Sequence, residues 1–311
     1  MSGPNVLFAA RPDRWDETRG PLEAALAKAG VAADLATDHA PGTVDYIVYA
    51  PNGPLQDFSP FTRCKAVLNL WAGVEDVVDN PTLTMPLARM VDPGLTEGMV
   101  EYVTAHVLRH HLNIDADITR KPGDWTPVTP PLARDRRVTV LGLGALGSAC
   151  ANALAGLNFD VAGWSRSPKA LPGITCFHGD EGLADALARS HICVALLPLT
   201  PATENLLDAD RLSRLPEGAI LINPGRGALV VEDALLAALD EGRVSHATMD
   251  VFRTEPLSKE HPFWHHPRVT VTPHIASVSR PESCAKVIAE NIRRGEAGEP
   301  FLHLVDRQAG Y

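Results

Sequence analysis

Cysteine is scarce and unpatterned in this chain. The five cysteines of the 311 residues, Cys64, Cys150, Cys176, Cys193 and Cys284, are scattered without a C-x-x-C pair, so they support neither a disulfide framework nor a metal site. A basic excess is missing too: 28 Lys and Arg stand against 38 Asp and Glu, a net charge of -10. Nucleic acid is therefore not the expected partner, because phosphate binding needs a basic face; any anion site must be local. The longest apolar run, residues 192–199, falls far short of a membrane span. The N-terminus lacks a basic n-region, and residues 6–10 are too short for a signal core. These absences predict a reduced, soluble, cytoplasmic protein with no membrane partner.

What is present is ordinary in bulk and specific in detail. Hydrophobic residues make up 45% and charged residues 21%, usual for a globular enzyme, and the length predicts two lobes. Near the middle, the β-branched run Val138-Thr139-Val140-Leu141 feeds into Gly142-Leu143-Gly144-Ala145-Leu146-Gly147, and a helix-forming stretch follows. In that strand–turn–helix setting G-x-G-x-x-G reads as a pyrophosphate cradle. Gly142 permits the turn, Gly144 admits the anion, and Gly147 lets the helix pack on the strand. The N–H groups at the helix start face the phosphate.

About 20 residues on, where an NAD-binding protein places an acidic residue on the ribose, the strand 159–164 ends in Ser165-Arg166-Ser167-Pro168-Lys169. A guanidinium flanked by hydroxyls suits a 2′-phosphate. NADP(H) is therefore preferred over NAD(H), against the plainer reading of a solvated basic turn.

Taken in order, apolar strands at 6–10, 44–49 and 66–70 alternate with helical stretches, among them 22–29 ending at Gly30, the pattern of a parallel α/β lobe. The third strand runs into Leu70, Trp71, Ala72 and Gly73. The backbone N–H groups there are candidates for holding a small anion, and a plain βα loop reads equally well. Residues 97–120 predict one long helix, with Met99, Val103, His106, Val107 and His110 at i, i+3, i+4 spacing. The Pro-rich stretch 121–131 then leads to the glycine-loop lobe. Strands follow at 192–196, 219–222, 246–249 and 269–272, and three strand ends carry Arg226, Asp250 and His274. In an open parallel sheet such ends converge on one edge. The final helix, 281–294, is expected to pack back on the first lobe.

Arg226, Glu255 and His274 have the types needed to reduce a 2-oxo acid. Arg pairs with the carboxylate and polarises the carbonyl, His donates a proton, and Glu orients the imidazole and favours its charged form. Asp250 suits the nicotinamide carboxamide. His261, His265 and His266 are bracketed by Pro262 and Pro267 with no carboxylate at a helpful spacing, so no metal is expected there. His110-His111 reads as surface or interface.

The order G-L-G-A-L-G, L-P-L-T-P, N-P-G-R-G, M-D-V-F-R-T-E-P-L and T-P-H-I-A resembles the D-isomer-specific 2-hydroxyacid dehydrogenases nearly end to end. The stretch 87–99, the Trp-Ser-Arg-Ser turn and the ending Asp306 to Tyr311 resemble the glyoxylate/hydroxypyruvate reductase A type. The chain departs from that type at Ala50, where a Trp is usual, and at Pro224 in N-P-G-R-G.

The resemblance implies an α/β fold of two doubly wound parallel-sheet lobes. A Rossmann cofactor lobe, 99–280, is inserted into a discontinuous flavodoxin-like substrate lobe, 1–98 plus 281–311. It implies catalytic Arg226, Glu255 and His274, and substrate contacts from Leu70, Trp71, Ala72, Gly73 and Arg226. Cofactor contacts would come from Gly142, Gly144, Ala145, Leu146, Gly147, Ser165, Arg166, Ser167, Leu197, Pro198, Pro224, Gly225, Asp250, His274 and Ser277. The expected function is NADPH-dependent reduction of glyoxylate, hydroxypyruvate or a similar 2-oxo acid to a D-2-hydroxy acid by a homodimer without metal. The alternatives are an NAD-dependent hydroxyacid, phosphoglycerate or phosphite dehydrogenase, which Arg166 counts against, and a dinucleotide-sensing protein like the corepressors of this fold.

Overall fold

The computed structural model describes residues 3–311. The chain divides into two compact units, Met1–Leu95 with Val278–Tyr311, and Thr96–Ser277.

The first unit is built on β1 (Asn5–Ala9), β2 (Asp34–Ala36), β3 (Tyr46–Tyr49), β4 (Ala66–Asn69) and β5 (Leu87–Ala88), all parallel, in the order β2-β1-β3-β4-β5. That is the flavodoxin-like order. Alternate strand residues bury into two cores. Val6, Phe8, Tyr46, Val48 and Leu68 meet Leu22, Leu26, Ile288 and Ile292 on one face; Leu7, Ile47, Tyr49 and Val67 meet Phe58, Val77 and Leu83 on the other. Burial on both faces is why these strands read as unbroken apolar runs. The helix Pro281–Ala297 supplies the two isoleucines, and the tail after it pairs with β5 through Leu304 and Ala88.

The second unit carries β6 (Arg137–Leu141), β7 (Asp160–Ser165), β8 (Thr175–His178), β9 (Ile192–Ala195), β10 (Ala219–Asn223), β11 (Val244–Met249) and β12 (Val269–Val271). Their order is β12-β11-β10-β9-β6-β7-β8, again parallel throughout. Read from β8, this is the Rossmann order 3-2-1-4-5-6 with one strand added. The order reverses between β6 and β9, so the loops after those strands open a crevice. Val138, Val140, Ile192 and Ile222 pack on Val103, Val107 and Leu154 on one face; Leu141, Cys193 and Leu221 pack on Leu187, Leu235 and Leu239 on the other. Each such side chain contributes about 1.5–3 kcal/mol when fully buried.

The helices depart from their expected bounds for local reasons. The first runs Asp13–Lys28, through Pro21, although proline reads as a stop in sequence. Leu22 and Leu26 hold it on the sheet, and Gly30 at φ +73° ends it. The stretch expected as one helix over 97–120 is two, Pro93–His111 and Ile114–Ile118. The first begins earlier because buried Asp92 accepts from Leu95 N at 3.1 Å, with Pro93 at the first helical position. The break falls at Asn113, whose φ of 56° is left-handed. The pair His110-His111 is not a surface feature of the unit: His111 is 5% exposed with its ring edge-on to Phe159, and His110 is half-buried.

Candidate active site

The phosphate loop sits at the crevice that the strand order creates. Gly142 follows β6 with φ +106°, and a Cβ there would lie 2.4 Å from Leu196 O. A Cβ on Gly147 would lie 1.7 Å from Gly142 O, so the helix Ala145–Gly156 could not seat on the strand with any side chain at that position. Gly144 caps this helix and has open space where a Cβ would be. The N–H groups of Ala145, Leu146 and Gly147, in the first turn, have no acceptor within the helix. Backbone donors, dipole and open space together fit a pyrophosphate.

At the end of β7, Ser165 is buried and gives its hydroxyl proton to Ser167 O at 2.8 Å. Ser165 therefore shapes the turn, while Arg166 and Ser167 are exposed at its tip. Leu197, Pro224 and Gly225 are buried at the ends of β9 and β10. Pro198 is held through its carbonyl by Thr203 Oγ1 at 2.7 Å. Ser277 lies against Gly98 in the same unit.

The three residues expected to carry chemistry are in the same unit, and two of them touch. His274 Nδ1 and Glu255 Oε2 are 2.7 Å apart. Glu255 Oε1 accepts from Phe252 N at 2.9 Å, so both carboxylate oxygens are engaged and the side chain cannot swing. Arg226 stands at the end of a turn built on Asn223, which is wholly buried. The Asn223 amide accepts from Gly225 N at 3.2 Å and donates to Arg226 O at 2.9 Å. Arg226 Nη1 donates to Gly225 O at 2.7 Å. A Cβ on Gly227 would fall 1.9 Å from the carbonyl carbon of Phe252; only glycine lets the Arg226 turn lie flush on the loop that carries Glu255. Arg253 fastens that loop from its far side, donating to Glu204 Oε1 at 3.0 Å and to Asn205.

Asp250 has a structural task that its expected cofactor role did not suggest. It is 0% exposed. Its Oδ1 accepts from Thr272 Oγ1 at 2.6 Å and Ile275 N at 2.9 Å, and its Oδ2 accepts from Ala276 N at 2.9 Å. Its carbonyl takes His274 N at 2.8 Å. His274 thus sits at φ +55°, a conformation costing on the order of 1–3 kcal/mol that persists only where surroundings over-determine it. Thr272 is supported in turn by Tyr102 Oη at 2.7 Å. Burial pushes the Tyr102 phenol up to about 12, so it keeps its proton and gives it to Thr272, whose own proton goes to Asp250.

In the first unit, Asn69 organises the Leu70, Trp71, Ala72, Gly73 loop. It is 1% exposed and its amide donates to Trp71 O at 3.1 Å and Gly73 O at 2.9 Å. With the Trp71 carbonyl turned inward, the Ala72 N–H across the same trans peptide points the opposite way, which is the orientation an anion donor needs.

His261 and His266 have structural partners. His261 caps a 3₁₀ turn through Nδ1 and faces Glu232 at 3.5 Å, while His266 faces Asp240 at 3.4 Å. Each turns to a different carboxylate.

A model of the D-isomer specific 2-hydroxyacid dehydrogenase NAD binding domain matches residues 103–276, more than half the chain, with the phosphate loop, Arg226, Glu255 and His274 inside it. The chain belongs to this family. It is 38% identical to the glyoxylate/hydroxypyruvate reductase A of Serratia proteamaculans over 316 residues, covering 99% of this chain and 100% of that one. Among solved structures, a D-isomer specific 2-hydroxyacid dehydrogenase from Xanthobacter autotrophicus Py2, in complex with NADPH and MES, superposes with a TM-score of 0.92 at 43% identity over both full chains. The NADPH-dependent glyoxylate/hydroxypyruvate reductase of Sinorhizobium meliloti, in complex with NADP and sulfate, gives 0.85 at 35% identity over both full chains. The protein is thus an NAD(P)-dependent oxidoreductase of the 2-hydroxyacid class, and its two sheets have the lobe architecture of that class.

Proposed function

We propose that this protein reduces small 2-oxo acids, of the glyoxylate and hydroxypyruvate kind, to D-2-hydroxy acids with NADPH in the cytoplasm. The observation that carries the reading is the 2.7 Å pairing of His274 with Glu255, in one unit with Arg226 and the phosphate loop. Supporting it are the printed identities of the relatives: a reductase A at 38% identity, and structures holding NADPH or NADP.

Bound NADPH supplies the hydride. Gly142, Gly144, Ala145, Leu146 and Gly147 hold its pyrophosphate, Arg166 and Ser167 take the 2′-phosphate on the turn that Ser165 shapes, and Leu197, Pro198, Pro224, Gly225, Asp250 and Ser277 form the rest of its bed. Arg226 pairs with the substrate carboxylate in a two-point fork. His274, its Nδ1 fixed by Glu255, presents Nε2–H to the carbonyl oxygen and releases that proton as the alkoxide forms. Initial rates of NADPH oxidation with glyoxylate, hydroxypyruvate and larger 2-oxo acids test the reading; a folded protein with no turnover on any of them would overturn it.

Two further expectations arise here. Arg166→Ala removes one charge-assisted phosphate contact, about 1.5–3 kcal/mol, and is expected to raise the KM for NADPH on the order of 10- to 100-fold while leaving that for NADH nearly unchanged. Equal loss with both cofactors would remove the phosphate role. A homodimer is also proposed. The segment after the long helix exposes Ile118 (75%), Trp125 (95%), Val128 and Leu132, apolar area that a monomer rarely leaves bare. Light scattering is expected to give twice the chain mass, and a monomer mass contradicts this.

A further inference from the structure

We propose that His110, Asp115 and His246 form a binding site for one late first-row divalent cation, best met by Zn²⁺, apart from the reaction chemistry. Nothing in the linear spacing points to it, because the three residues meet only in the fold. One donor atom from each lies within 4.8 Å of the others. His110 lies in the last turn of the helix Pro93–His111. Asn113, at φ 56°, turns the chain so that Asp115, in the helix Ile114–Ile118, comes back toward it. His246 comes from β11, and its ring centroid is 4.7 Å from that of His110.

The surroundings are those of oriented ligands. His110 Nε2 is 2.9 Å from Thr248 Oγ1 and His246 Nε2 is 2.8 Å from Thr270 Oγ1. Thr248 and Thr270 are themselves register partners across β11 and β12. With Nε2–H given to the threonine oxygen, the arrangement the proposal requires of both rings, each imidazole is fixed in tautomer and offers Nδ1 to a metal. Asp115 is held the same way: its Oδ1 accepts from Arg109 Nε at 2.7 Å, and Oδ2 remains for the ion. The Arg109 charge opposes a cation, and the Asp115 carboxylate beside it offsets that charge. Two imidazole nitrogens and one carboxylate oxygen select Zn²⁺ and its neighbours over Mg²⁺ or Ca²⁺, with a fourth position left for water.

A bound ion would clasp the end of the long helix and the short helix after it to β11, the strand next to the edge of the sheet.

The test is calorimetric titration of chelator-treated full-length protein with ZnCl₂, alongside Co²⁺ absorption and thermal melts. The expected result is one Zn²⁺ per chain, a tetrahedral Co²⁺ spectrum and a saturable rise in melting temperature. His246→Gln and Asp115→Asn should each weaken binding by about 100-fold or more, whereas His265→Gln, on the surface, should leave it unchanged. Asp115 is partly exposed, so its variant stays informative should His246→Gln fail to fold. Absence of stoichiometric binding overturns the site. So does binding that survives both variants, or binding that depends on His265, since that is an adventitious surface site.

Discussion

Arg226→Lys is expected to lose about 100-fold or more in kcat/KM for glyoxylate or hydroxypyruvate. A guanidinium forms two parallel charge-assisted bonds to a carboxylate, each worth about 1.5–3 kcal/mol. An ammonium replaces at most one of them, as a point charge without the fork. The lost bond alone accounts for roughly 10- to 100-fold, and misaiming the carbonyl beside the carboxylate adds to it, since about 1 Å of misplacement can cost on the order of 100-fold. Arg226→Gln, which keeps no charge, should fall further. The turn itself should survive, because Asn223 shapes it through the backbone of Gly225 and Arg226 and not through the guanidinium. Affinity for NADPH, followed by its fluorescence, should therefore remain near the parent value. Near-normal turnover by the Lys variant would remove Arg226 as the carboxylate anchor.

Glu255→Gln is expected to slow reduction on the order of 100-fold, and by more than it slows oxidation. Reduction needs a proton held on His274, whereas oxidation needs the ring without it. In the parent, Glu255 accepts from Phe252 N with one oxygen and faces His274 Nδ1 with the other. A glutamine has only one oxygen for these two tasks. If the oxygen stays on Phe252, the amide NH₂ turns to Nδ1, which must then be a bare acceptor. That selects the neutral Nε2–H tautomer and disfavours the imidazolium. Reduction should therefore slow more than oxidation, because only reduction draws on the second ring proton. Rates in both directions at saturating cofactor and substrate, with hydride transfer shown to be limiting by deuterated cofactor, give the comparison. Equal slowing, or none, would separate Glu255 from the proton donor.

How much of this was legible before the fold depends on how local each feature is. The phosphate loop was readable because its parts are consecutive: β6, three glycines and a helix start carry the whole task within about ten residues. The two-sheet architecture was readable from runs such as Val6 to Ala10 and Ala219 to Ile222, whose unbroken apolarity follows from burial on both faces. Arg226, Glu255 and His274 were each visible as a residue type at a strand end. Their pairing was expected from residue types and the resemblance, not from spacing, since Glu255 and His274 meet across 19 positions.

What escaped notice is tertiary. Asn223 and Asn69 look like ordinary turn residues, yet their buried amides set two loops. Asp250 was read only as a partner for the nicotinamide, while the fold also uses its carboxylate on Thr272, Ile275 and Ala276 to hold His274 in a left-handed conformation. The break at Asn113 and the gathering of His110 with His246 were hidden by a helical periodicity that continues past the residue where the helix stops.

The central claim is that this chain transfers hydride from NADPH to a 2-oxo acid with one stereochemical outcome. The most direct measurement is chiral analysis of the product formed from hydroxypyruvate, set against the NADPH consumed. The account expects one D-glycerate for each NADPH oxidised, with no L isomer, and loss of both on His274→Ala. A product of L configuration, or NADPH bound but not oxidised in the presence of any 2-oxo acid, would contradict it.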